Sequence, residues 1–160
     1  MSISNNVLKS LGELGFTLSP KPVYEIPSLP LDITELDDEA LMELFVQFTQ
    51  WNDHLSGARA IAIINEREAE RGLDSIEAQC MLDNWQGGKG DRVAVVKAAI
   101  TTNPIVEKAK HELDVQYAFR KLLEMRAENV ERDSQLVSRE LTRRTSDGGS
   151  FRSRSRKFTT

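Results

Sequence analysis

The chain has 160 residues, of which 39% are hydrophobic, 6% aromatic and 29% charged, with a net charge of −4. This lean apolar content excludes a thick central core and is typical of long helices that each bury one stripe of side chains. A single cysteine excludes an internal disulfide, and the absence of a signal peptide or of an apolar run that could cross a bilayer predicts a soluble cytoplasmic protein with no membrane partner.

Residues 1–36 are predicted to form an extended N-terminal arm. Each proline removes a backbone donor and favours extended backbone in the residue before it. A short amphipathic helix precedes the prolines and should end at Gly15. Four of the five prolines lie in this arm: Pro20, Pro22, Pro27 and Pro30.

A long helix is predicted to begin after Asp37 or Asp38, because acidic side chains cap helix N-termini. Its apolar residues repeat about every 3.5 positions, which is the spacing of a coiled-coil seam through which copies of the chain associate. Gly72 marks a predicted break or kink. The bulky seam residues assigned to oligomerisation are Leu41, Leu44, Phe48, Trp51 and Leu55.

The glycine-rich segment 86–91 should end this helix in a loop. A short helix over 92–100 follows, and Asn103 with Pro104 then predicts the N-terminus of a third helix. That helix should continue almost unbroken to about Arg144. Its apolar stripe adds three residues to the predicted oligomerisation surface: Leu123, Val130 and Val137.

These elements predict an all-α fold in which two long antiparallel helices form a hairpin with a short connecting helix. We expect three segments: the arm at 1–36, a hairpin and oligomerisation domain at 37–144, and a basic, disordered tail rich in Ser, Arg and Gly at 145–160. A single hairpin leaves part of its apolar stripes uncovered. We therefore expect a homo-oligomer, either a closed ring or a small symmetric bundle.

Catalytic chemistry is not predicted, because His54 and His111 have no recognisable nucleophile beside them. No spacing of ligands predicts a metal site, and no cofactor motif is present. The acidic residues Glu66, Glu68 and Glu70 alternate along a helix, which points them around the helix and indicates a solvated surface. We expect a protein that is not an enzyme.

Nucleic-acid binding is the chemistry that the charged residues favour. Residues 142–160 contain six cations against Asp147, a net charge of +5, so residues 1–141 carry −9 of the total of −4. Such a segment favours binding to a phosphate backbone or to an acidic protein surface. The alternative is a tail that binds no partner and only increases solubility. The predicted contacts lie at the connector and in the tail: Trp85, Lys89, Arg92, Lys97, Arg143, Arg144, Arg152, Arg154, Arg156 and Lys157.

Three segments resemble the UvsY family of phage recombination mediators. FTQWNDHL at 48–55 is similar to that family's tryptophan-containing helix start, and LDNWQGGKGD at 82–91 to its Leu-Asp, aromatic pair, glycine and Gly-Asp sequence. Tyr117, then Leu122 and Leu123, precede a polar helix that ends in basic residues. Gln79 and Met81 stand where the family carries two cations, so Lys89, Arg92 and the arginine tail would supply the charge here.

The resemblance implies a ring-forming protein that binds single-stranded DNA without sequence preference. It implies two protein partners, a RecA-type recombinase and the single-strand-binding protein that the recombinase displaces, in the host cytoplasm if a phage encodes the chain. Two alternatives remain open: a phage assembly component, such as a small terminase-like or scaffolding protein that binds duplex DNA or capsid and motor proteins, and an adaptor that binds partner helices.

Overall fold

The computed structural model describes the backbone of residues 2–84 and 93–155 and the side chains of residues 2–84 and 95–146. Within these ranges the chain is predominantly helical and contains no β-strand, which confirms the all-α prediction. The helices are α1 (Ile3–Glu13), α2 (Asp38–Asn84), α3 (Val93–Thr101) and α4 (Pro104–Ser155), with a 3-10 helix at Ile33–Glu35.

The starts of both long helices are fixed by side-chain caps, as predicted. An Asp37 carboxylate oxygen accepts a hydrogen bond from the backbone N–H of Ala40 at 2.8 Å. The Asn103 side-chain oxygen accepts one from the N–H of Ile105 at 2.9 Å, directly before Pro104 opens α4. Each cap satisfies a backbone donor that has no partner inside its helix.

Two predictions about helix ends are wrong. α2 continues through Gly72 without a break, because a glycine in the middle of a helix costs less than interrupting a helix that is packed on both sides of it. α4 does not end near Arg144, since its backbone stays helical to Ser155, inside the segment predicted as a tail. The predicted loop at 86–91 lies outside the described residues.

The chain divides into two compact units. Unit 1 consists of Met1–Thr17 and Ala58–Glu124. Its apolar cluster contains Cys80 of α2, Val96 and Ile100 of α3, and Val106 of α4. Glu66 binds Arg120, and Glu77 binds Lys110 at 3.1 Å, so residue numbers rise along α2 as they fall along α4. The two helices are therefore antiparallel within this unit.

Unit 2 consists of Leu18–Gly57 and Met125–Thr160. The bulky half of the predicted seam is its core: Leu41 and Phe48 of α2 are fully buried, as is Val137 of α4. The segment between Leu18 and α2 lies along α2. Leu18 packs at Gly57, where an added Cβ would come within 3.4 Å of the leucine side chain, and the Tyr24 hydroxyl donates to the Gln50 side-chain oxygen at 2.5 Å.

We expect Gly72→Ala to raise the free energy of unfolding by about 0.5–1 kcal/mol, because alanine loses less backbone entropy in a helix. An added Cβ at Gly72 meets no heavy atom within 4 Å, so no packing has to change. Urea unfolding followed by circular dichroism measures the gain.

Gly15→Ala is the matched control, because Gly15 has a φ of 81°, in the left-handed region that alanine avoids. This variant should show no gain in stability. If Gly72→Ala were also neutral or destabilising, the continuous helix through this position would be contradicted.

Candidate nucleic-acid interface

The predicted basic segment begins beside a buried carboxylate on α4. Glu140 is only 6% exposed, and its carboxylate accepts hydrogen bonds from two consecutive arginines. Arg143 donates from Nε and Nη2 at 2.8 and 2.7 Å, and Arg144 donates from Nε at 2.8 Å. Spacings of three and four residues place these side chains on one face of the helix, where charged pairs form readily.

Arg144 also holds the chain that precedes α2. Its guanidinium donates to the Leu36 carbonyl and to the Asp38 carboxylate, both at 2.8 Å, and to the Thr34 carbonyl at 3.0 Å. Thr34 lies in the 3-10 helix, whose own N-terminus is capped by the Asp32 side chain, and Leu36 and Asp38 follow that helix. The donors of Arg144 are therefore used inside unit 2, and a phosphate contact would have to compete with them.

The two arginines also set the protonation of the buried carboxyl. Hydrogen bonds from Arg143 and then Arg144 lower the pKa of Glu140 from 4.5 to about 2, against the opposing effect of burial. Glu140 is consequently ionised at neutral pH. It offsets part of the charge at the start of the basic segment.

Three of the predicted nucleic-acid contacts have described side chains. Arg143 is 56% exposed and shares Glu140 with Arg144, whereas Arg144 is largely covered. Lys97 is exposed on α3, whereas Val96 and Ile100 of the same helix are buried. The predicted contacts that lie outside the described side chains are Trp85, Lys89, Arg92, Arg152, Arg154, Arg156 and Lys157.

The predicted oligomerisation residues are mostly covered by their own chain. Leu41, Phe48, Trp51, Leu55, Val130 and Val137 are buried, and Leu44 and Leu123 are half-buried. A different set of apolar side chains on α4 stays about half exposed: Val115, Phe119 and Leu122. They recur at i, i+4 and i+7, so they share one face of the helix.

Two glutamates that were predicted to be solvated are engaged instead. Glu66 is bound by the Arg120 guanidinium, and the Glu68 carboxylate accepts from Ser2 Oγ at 2.8 Å and from the backbone N–H of Ile3 at 3.0 Å. Glu68 thereby fixes the start of α1 within unit 1. The prediction of a solvated surface is wrong for Glu66 and Glu68, because it considered α2 without its neighbours, whereas Glu70 is exposed.

Metal ligands and membrane spans were also sought in the described part of the chain. Its His, Cys, Asp and Glu residues form no group of three that could hold a metal ion. None of its helices combines the length and apolar character needed to cross a membrane.

Comparisons with known proteins give no match: no protein-family model, no curated protein and no solved structure matches this chain. A functional interpretation therefore depends on the charges and contacts described above.

We expect Arg144→Gln to loosen the arm, because it removes the hydrogen bonds to the Leu36 and Thr34 carbonyls and the ion pair with Asp38. The thermal midpoint should fall by about 2–4 °C for each kcal/mol of stability lost, the shift typical of a chain of this length. Cleavage by a glutamyl endopeptidase after Glu25 or Glu35 should become faster, since proteolysis follows local opening.

Arg143→Gln is the control for this experiment: it removes a neighbouring arginine from the same carboxylate but leaves every bond to the arm in place. It should lower the midpoint less and leave the cleavage rate unchanged. Equal cleavage rates for the two variants would contradict the role of Arg144 in holding the arm.

Glu140→Gln should destabilise the protein at neutral pH, and the loss relative to wild type should shrink in acid. The pKa of Glu140 is lowered on folding, so its contribution is complete above about 4.5 and disappears as pH falls from 4.5 through about 2. Urea midpoints of both proteins at pH 7, 4 and 2.5 measure this. Other carboxylates titrate equally in both proteins, so a pH-independent difference would refute this assignment.

Proposed function

We propose that the protein binds the phosphate backbone of single-stranded DNA without sequence preference and acts as a recombination mediator. The observation that carries the proposal is the separation of charge, +5 in residues 142–160 against −9 in residues 1–141. Cations that neutralise phosphates release counterions, which drives binding irrespective of base sequence. The acidic remainder of the chain would repel the same backbone over most of its surface, which favours the basic segment as the main contact.

The composition of the basic segment favours single strands over duplex. Phe151 and Phe158 flank the run of arginines, and unpaired bases stack on aromatic rings whatever their identity. Arg143 supplies an exposed cation where this segment leaves the buried part of α4. No helix-turn-helix pattern that would read bases in a duplex groove is found in the sequence.

The mediator role rests on the resemblance to the UvsY family. The two proposed protein partners, a recombinase and a single-strand-binding protein, rest on the same resemblance. We further propose that the two long helices form the predicted hairpin and that copies associate into a ring. Because much of the bulky seam is covered within one chain, Val115, Phe119 and Leu122 are the residues we assign to contact with a second copy. Exposed apolar residues that share a helix face favour such association.

The alternative function is that of a phage assembly component, which would bind duplex DNA or a capsid or motor protein. Helical oligomers with charged ends suit that role as well. Strand preference separates the two functions, since a mediator must prefer the single strand at a given salt concentration.

The test replaces Arg152, Arg154 and Arg156 with glutamine and measures affinity for labelled oligo(dT) by fluorescence anisotropy at several salt concentrations. The slope of log affinity against log salt should fall by about 2, because each single-strand phosphate contact contributes about 0.7. Replacement of the same three residues by lysine is the matched control, since it keeps the charge and should keep the slope.

An unchanged slope in the glutamine variant would show that the tail does not contact DNA. A duplex of the same sequence, titrated in parallel, should bind more weakly to the wild-type protein. Tighter binding of the duplex would favour the assembly function, and absence of binding to either DNA would refute both nucleic-acid functions.

A further inference from the structure

A second cationic site lies in unit 2, away from the tail. A solvent-open cavity of about 520 Å³ is lined by residues 21–26 of the arm, by Trp51 of α2 and by Arg126 of α4. Its volume falls within the range of about 300–1,000 Å³ that is typical of small-ligand sites. Residues distant in sequence therefore meet around one space large enough for a nucleotide.

Two cations on different elements line this cavity. Lys21 is exposed on the arm and Arg126 is exposed on α4, and neither has a hydrogen-bond or ion-pair partner among the side chains that the structure describes. Among the described residues of the lining Glu25 is the one carboxylate, so two cations face one anion there. Unlike Arg144, these two side chains remain available to an anion.

The α2 residue that lines the cavity is almost fully buried. Trp51 is 6% exposed, and its indole N–H has no acceptor within the described residues. The ring is held edge-on to His54, at 5.8 Å between centroids, while His54 Nδ1 lies 3.0 Å from the Ser19 carbonyl. Because the indole nitrogen exposes less than 1 Å² of surface, Trp51 forms part of the cavity wall and offers no donor to a ligand.

We propose that this cavity binds one nucleotide unit of single-stranded DNA, with its phosphate against Lys21 and Arg126. The inference rests on the proposed function and assigns it a contact site separate from the tail. Cations with flexible stems neutralise a phosphodiester. Tyr24, positioned by its hydrogen bond to Gln50, offers a ring for stacking of the base.

The shared chemistry of the ligand is a phosphate ester, which a free nucleotide also carries. A strand differs from a free nucleotide in that it reaches the tail at the same time, and linked contacts raise the overall affinity. Oligo(dT) should therefore bind far more tightly than dTMP at equal phosphate concentration.

The experiment compares two double variants of the full chain: Lys21→Gln with Arg126→Gln at the cavity, and Arg67→Gln with Lys108→Gln as the matched control. Arg67 and Lys108 are exposed cations of unit 1, so the control loses the same charge elsewhere. Affinity for oligo(dT) is measured at several salt concentrations, and circular dichroism checks that each variant is folded. A second measurement cross-links oligonucleotides that contain iododeoxyuridine to wild-type protein and maps the labelled peptides.

We expect the cavity variant to bind about three- to tenfold more weakly and to lower the salt slope by about 1, while the control changes affinity less than twofold. Tyr24 should carry a cross-link in the wild-type protein. The cavity inference is overturned if the wild type binds oligo(dT), both double variants lose affinity equally and Tyr24 carries no cross-link. The proposed function stands in that case. If dTMP binds as tightly as the oligonucleotide, the strand assignment is overturned, and if the wild type binds no oligonucleotide, the proposed function itself fails.

Discussion

Unit 2 depends on the burial of a narrow apolar stripe. Leu41 and Phe48 of α2 and Val137 of α4 are fully buried although the chain as a whole is lean in apolar residues. Burial of side chains of this size contributes about 1.5–3 kcal/mol each, which is large beside the net stability of a small protein. The arm contacts α2 at Gln50 and His54, two residues that lie between the buried positions of the stripe. Arm and cavity are therefore consequences of this packing.

The cations of the molecule serve two purposes, and their partners decide which. Arg120 binds Glu66, Arg59 binds Glu124 at 2.5 Å, and Arg144 binds Glu140, Asp38 and the arm, so these guanidinium groups hold elements together. Arginine suits this work because its planar fork donates to several oxygens at once. Cations that do not join two elements of the fold in this way are better candidates for contact with phosphate. A count of basic residues along the sequence does not separate the two groups.

Local signals in the sequence predicted local structure well. The capping roles of Asp37 and Asn103, the heptad from Leu41 to Leu55 and the helical class all depend on neighbours within a few residues. Contacts between distant segments were missed. Nothing near Glu68 in the sequence indicates that it accepts hydrogen bonds from Ser2 and Ile3, and nothing near Arg126 indicates a cavity shared with Lys21. Such contacts depend on tertiary packing, which periodicity does not encode.

The two proposed contact sites on α4 suit a strand better than a free nucleotide. Arg126 and Arg143 are separated by 17 residues of one helix, which is about 26 Å at 1.5 Å per residue. Between them acidic residues alternate with basic ones, so the helix presents two separate cationic points and not a continuous basic groove. A mononucleotide would bind at one of the two sites, so only one contact would contribute to its affinity. An extended strand would reach both, and the second contact would form at the high effective concentration set by the first.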